Sequence, residues 1–71
     1  MLAILRPEKT YEGFSHNKKY KMTSLYSTSG KIEFKIKNDS GKLVNINERI
    51  FNEMFLSGYP ETMAMLYPDA K

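Results

Sequence analysis

Cysteine and tryptophan are absent from this 71-residue chain, histidine occurs once, as His16, and arginine only as Arg6 and Arg49. Without cysteine there is neither a disulfide framework nor a thiolate metal site, a composition that fits a reducing compartment. A lone histidine in a Ser-His-Asn loop cannot supply the about four ligands of a zinc site, and no carboxylate pair nearby orients it as a general base. Ser15, Ser24, Ser27, Ser29 and Ser40 fall in turns or at strand edges, with no base placed to activate them, and there is no Gly-rich phosphate loop. These gaps predict a protein that is not an enzyme and carries no cofactor and no metal. No apolar run approaches the roughly 18 residues of a membrane span, and the apolar start at residues 1–5 is too short for a signal sequence. The expectation is a soluble, cytoplasmic chain with no membrane partner.

What is present is best read from residues 31–46, KIEFKIKNDSGKLVNI. Ile32, Phe34 and Ile36 alternate with Lys31, Glu33, Lys35 and Lys37, the period of a strand with one buried and one wet face. A four-residue loop after Lys37 would turn Asn45 onto the apolar face. A three-residue loop of Asp39, Ser40 and Gly41, with Gly41 at positive φ, instead pairs Ile36 with Val44 and Phe34 with Ile46. The second register is the expected one, because a slip of one residue turns the return strand inside out.

The remainder arranges itself around this hairpin. Length predicts a single domain, residues 1–71, whose small core buries roughly 60% of the unfolded surface. Strands are predicted near residues 2–6, 18–26, 31–38 and 42–46. The loop at 8–17 carries Tyr11 and Phe14, expected to fold back onto the sheet, and a bulge or strong bend near Thr23 is expected to account for the blurred alternation at Ser24 and Leu25. Residues 27–30, STSG, have turn composition. After Ile46 the period changes: Ile50, Phe51, Met54 and Phe55 recur at helical spacing, with Asn47 as N-cap and Gly58 as the C-terminal stop. Helices are therefore predicted near 48–57 and 60–67, followed by a polar, frayed tail. The fold class is α+β: a small antiparallel meander, a partly closed barrel covered by a C-terminal helix and a second short helical turn.

Two surfaces are candidates for function. Lysines 18, 19, 21, 31, 35, 37 and 42 stand against Glu33 and Asp39, a local balance of +5 in a chain of net charge +3. Solvent-facing strand positions alone account for such lysines, but Lys19, Lys21, Lys31, Lys35 and Lys37 also make a candidate nucleic-acid face. The interleaved aromatics Tyr11, Phe14, Tyr20, Tyr26 and Phe34 fit base stacking, although packing claims Phe34 and one of the tyrosines, leaving Tyr11 and Phe14 as free candidates. The second surface joins the loop of Tyr11, Phe14 and His16 to the methionine-rich end with Met54, Met63, Met65 and Tyr67. Those apolar side chains either plug the sheet or form a protein-binding or self-association patch.

Lys18-Lys19-Tyr20, the alternation Ile32, Phe34, Ile36, the turn Asn38-Asp39-Ser40-Gly41-Lys42 and a closing Phe51 give residues 14–51 a layout that resembles small Src-homology-3-like barrels found in bacteria and their phages. That resemblance implies a binding module, of the phage accessory type, that modulates or inhibits a host protein. The chain departs from the family in lacking the tryptophan and acidic loop used for proline-rich peptides, and in replacing the final strand by a longer helical tail. The expected function is non-enzymatic protein binding. Nucleic-acid binding by the lysine face is the alternative.

Overall fold

A computed structural model describes residues 1–26 and 29–71. Its elements run β1 (Leu2–Leu5), β2 (Tyr20–Tyr26), β3 (Ile32–Lys37), β4 (Leu43–Asn47), α1 (Glu48–Met54), β5 (Phe55–Gly58) and α2 (Pro60–Leu66). The strands form one antiparallel sheet in the order β4-β3-β2-β1-β5. The class is α+β. The sheet is open, with β4 and β5 as its two ends, so the expected partial closure into a barrel is not realised.

The β3–β4 hairpin has the three-residue loop. Gly41 sits at φ 86°, its N–H bonds the Asn38 carbonyl at 3.0 Å, and the Asn38 N–H bonds the Lys42 carbonyl at 2.9 Å. Ile36 consequently pairs with Val44 and Phe34 with Ile46, which points Ile36 and Ile46 into the core and leaves Asn45 exposed. The Asn38 side-chain oxygen accepts from the N–H groups of Ser40 and Lys42 and from the Ser40 hydroxyl, holding the turn. β2 changes partner part-way: Leu2 and Ala3 pair with Lys21 and Tyr20, whereas residues from Met22 to Tyr26 pair with β3. β1 and β3 lie along opposite edges of β2, and the register with β3 runs unbroken from Met22 through Thr23 to Tyr26, so the expected irregularity at Thr23 is not a bulge. Ser27 and Thr28, half of the expected turn, lie outside the described residues.

α1 begins as its sequence requires. The Asn47 side chain accepts the Ile50 N–H at 2.9 Å and Glu48 occupies the first turn, where the helix dipole favours a carboxylate. Its end departs from expectation, because residues 55–58 are a strand rather than the last turn of a helix reaching residue 57. Arg6, at the end of β1, explains the stop: its N–H takes the Met54 carbonyl at 2.8 Å, and its guanidinium takes the Asn52 carbonyl at 3.2 and 3.1 Å. With those two acceptors satisfied by the backbone and side chain of Arg6, the chain leaves Phe55 extended and pairs with the free edge of β1, from Leu5–Phe55 to Leu2–Gly58. The final strand is thus present rather than replaced by helix. Gly58 is no left-handed helix stop either; a Cβ there would lie 3.2 Å from the Met63 sulfur. The tail is also tied down, since Lys71 bonds the Asn17 carbonyl through its N–H and accepts the Lys19 N–H through its own carbonyl.

The core is a chain of aromatic contacts. Phe51 stacks on Phe34 (centroids 4.2 Å apart) and on Phe55 (5.4 Å), and Phe55 meets Phe14 edge-on at 5.2 Å. Phe14 in turn meets Tyr20 at 5.0 Å. Around them pack Ala3, Leu5, Met22, Ile36 and Ile46. Phe51, 1% exposed, stands at the centre. Replacing Phe51 by Ala should lower the unfolding free energy by about 3–5 kcal/mol, whereas Leu43→Ala, at a largely exposed position, should change it by under about 0.5 kcal/mol; urea titrations followed by circular dichroism read both.

Candidate functional site

The loop between β1 and β2 is held against the β3–β4 turn by one carboxylate. Asp39 accepts hydrogen bonds from the Ser15 hydroxyl at 2.6 Å, the Tyr20 hydroxyl at 2.6 Å and the Lys18 ammonium at 2.9 Å. Its own N–H donates to the Gly13 carbonyl at 2.8 Å, and the Ser15 N–H donates to the Tyr20 oxygen at 2.8 Å. Gly13 is at φ 88°, and a Cβ there would come 3.1 Å from the Asn38 side-chain nitrogen, so a close approach favours glycine. Tyr11 lies 5.7 Å from Phe14 and 5.9 Å from Phe55. As expected, the loop folds back onto the sheet.

This constellation escapes sequence reasoning, which reads Asp39 as a turn residue only. The one visible signal is that Lys18 and Tyr20, two apart, share a face. Hydrogen bonds from Ser15, Tyr20 and Lys18 lower the Asp39 carboxyl from its ordinary 3.8 to about 2. The bond to Asp39 raises Lys18, and burial, then the same carboxylate, raises the Tyr20 phenol. Near neutral pH Asp39 is ionised and Lys18 protonated, with their hydrogen bonds turned on each other. Such an arrangement orders a loop and is poorly suited to moving protons.

The predicted site residues separate. Phe14 is buried in the core and Tyr11 half-buried, so Phe14 is unavailable as the free stacking residue; of the aromatics interleaved with lysines, Tyr26 is the one left exposed. His16 is exposed, its Nε2 donating to the Lys9 carbonyl at 2.7 Å. Met54 packs against the core and Met63 is 1% exposed beside Gly58, which removes Met63 from any outer surface. Tyr67 is half-buried. Met65 is fully outside at 82% exposure, joined by its neighbour Leu66 at 64% and by Tyr59 at 67%, which sequence reasoning misses.

The five lysines also divide. Strand register sets Thr23 opposite Lys35 and Lys37 opposite Leu43, and Lys21, Lys35 and Lys37 line one shallow depression of about 250 Å³ with Thr23 and Leu43. Lys31 lines another, beside Glu48 and Arg49. Lys19 precedes β2, next to Lys71. Among the described residues no group of three or more His, Asp or Glu side chains could hold a metal ion, and no helix is long and apolar enough to cross a membrane. Compared with family models, curated proteins and solved structures, the chain matches none.

The Asp39 contacts make stability depend on acid in a defined direction. With the folded value of about 2 below the ordinary 3.8, their contribution is complete above the unfolded-state value and is lost as pH falls through the folded one. Wild type should therefore lose stability between about pH 4 and pH 2 more steeply than Asp39→Asn; thermal melts across that range, with the Asp39 carboxyl followed by NMR, measure the difference.

Proposed function

We propose that this chain is a non-enzymatic protein-binding module whose contact surface is the outer side of α2 and the residue before it. The observation behind the reading is that Tyr59, Met65 and Leu66, three large apolar side chains, stand more than three-fifths exposed within eight residues. The helical repeat sets Leu66, Thr62 and Met65 within about 100° of one another on a flank beside Met63, which alone on α2 is buried. Methionine adapts to irregular apolar partners at little cost in rotamer strain. Acidic Glu61 and Asp69 flank the patch, so the fitting partner offers an apolar groove with a basic rim.

A second reading rests on a separate observation, the common depression of Lys21, Lys35 and Lys37. Three lysines whose stems line one concavity can turn their ammonium groups to a polyanion at its rim, which supports the nucleic-acid alternative on fewer lysines than the sequence suggested.

The finer fold reading, a Src-homology-3-like domain of the accessory type found in phages and bacteria, draws support from the element order. A short helical turn bearing Phe51 separates the fourth strand from a fifth that pairs with the first. On that analogy the partner is a host protein that the module modulates or inhibits.

Met65→Ser combined with Leu66→Ser should leave the fold within about 0.5 kcal/mol of wild type and abolish capture of protein from a nuclease-treated lysate. Capture that survives this change but disappears with Lys35→Glu and Lys37→Glu, and that weakens steeply with added salt, would favour the polyanion instead.

A further inference from the structure

The hairpin geometry determines which backbone groups of β4 are used. Asn38 and Lys42 are a hydrogen-bonded pair, and in an antiparallel ladder such pairs alternate, so the next are Ile36–Val44 and Phe34–Ile46. The N–H and C=O groups of Leu43 and Asn45, and the N–H of Asn47, therefore point away from β3. β4 is an end of the sheet, so among the described residues no strand receives them. Natural edges are usually guarded by charge, proline or a bulge. β4, Leu-Val-Asn-Ile-Asn, has none of these within it. The other end strand, β5, differs: it runs only from Phe55 to Gly58 and leads directly into α2, which packs on it through Met63.

We propose that β4 is a self-association edge, pairing antiparallel with β4 of a second copy about a twofold axis through Asn45. Only one register engages every outward-pointing residue: Asn45 meets Asn45 of the second copy and Leu43 meets Asn47 of the second copy. On this face β4 itself carries only Leu43, Asn45 and Asn47, with Lys37, Lys35 and Glu33 one strand further in on β3, so the side chains meeting directly at the seam oppose no like charges and set an amide beside an amide. On the other face half-buried Val44 comes opposite Ile46 of the second copy, so an apolar position faces an apolar one there. The same register brings Lys42, just before the strand, near Glu48 of the second copy, the first residue of α1, and symmetry repeats the approach at the other end. Charge complementarity at both ends of a neutral strand selects a second copy over an acidic or basic peptide. An open cleft of about 620 Å³ beside Leu43, Val44 and Asn45, walled on its far side by Glu12 and Gly13, leaves room for an incoming strand.

The surface is distinct from the α2 patch, and sedimentation equilibrium separates the two. The full chain should approach twice its 8.3 kDa mass as its concentration rises toward about 1 mM. Asn45→Lys, which puts two ammonium groups face to face at an exposed position, should weaken the dimer about fivefold or more. Lys42→Glu should weaken it by a similar factor, and Lys42→Glu with Glu48→Lys should restore it, circular dichroism confirming that each variant is folded. Amide exchange at Leu43, Asn45 and Asn47 should slow with concentration while that at Val44 and Ile46 stays constant. A chain monomeric throughout overturns the proposal. So does a dimer indifferent to Asn45→Lys, or one abolished by Met65→Ser with Leu66→Ser.

Discussion

The left-handed backbone at Gly41 is the constraint on which the other features depend. At φ 86° it lets a three-residue loop close the β3–β4 hairpin, and loop length sets which side chains of the return strand face inward. Ile46 then reaches the core and Phe34 lies where Phe51 can stack on it. The same geometry holds Asp39 at the tip, within reach of Gly13, Ser15, Lys18 and Tyr20. One residue's tolerance of positive φ thus governs both the packing of the sheet and the docking of its longest loop.

That docking shows how a small chain orders a loop without extending its core. Residues 8–19 bury little beyond Phe14 and Tyr11, and they contain Gly13 and Asn17, both at positive φ. Three donors converging on one ionised carboxylate, together with a backbone bond to Gly13, supply what apolar burial does not. The acidic shift at Asp39 is the electrostatic counterpart of that convergence, and it is why the contacts hold throughout the neutral range.

Much of the fold is legible in the sequence where local chemistry decides it. The hairpin register follows from alternation and the Asp-Ser-Gly turn; the start of α1 follows from Asn47 and Glu48. The end of α1 is different in kind. Phe55 satisfies the helical spacing of Ile50, Phe51 and Met54, yet it serves equally as the first inward residue of a strand, and Arg6, 46 positions from Asn52, takes the terminal carbonyl that decides between them. Gly58 misleads for a similar reason: glycine there makes room for Met63, not for a left-handed turn. Asp39 likewise owes its role to residues 19 to 24 positions away. Of the residues expected at a contact surface, Phe14 and Met63 are core, because a sheet of short strands needs them as filling. The exposed positions on α2 follow from that choice, since a seven-residue helix that buries Met63 must turn Met65 outward.

The open sheet is sealed by side chains rather than by hydrogen bonds. β4 and β5 lie at opposite ends of the strand order, yet α1 joins them directly and packs against β3, β4 and β5. Phe51, stacked between Phe34 on β3 and Phe55 on β5, closes with aromatic contact the gap that a barrel would close with a ladder. Because α1 and Phe51 fill the gap without a β4–β5 ladder, the fold makes no use of the outward backbone groups of β4. An edge that the fold neither uses nor guards with charge is one whose pairing can be spent on association, and the α1 plug is what separates that association from the stability of the single chain.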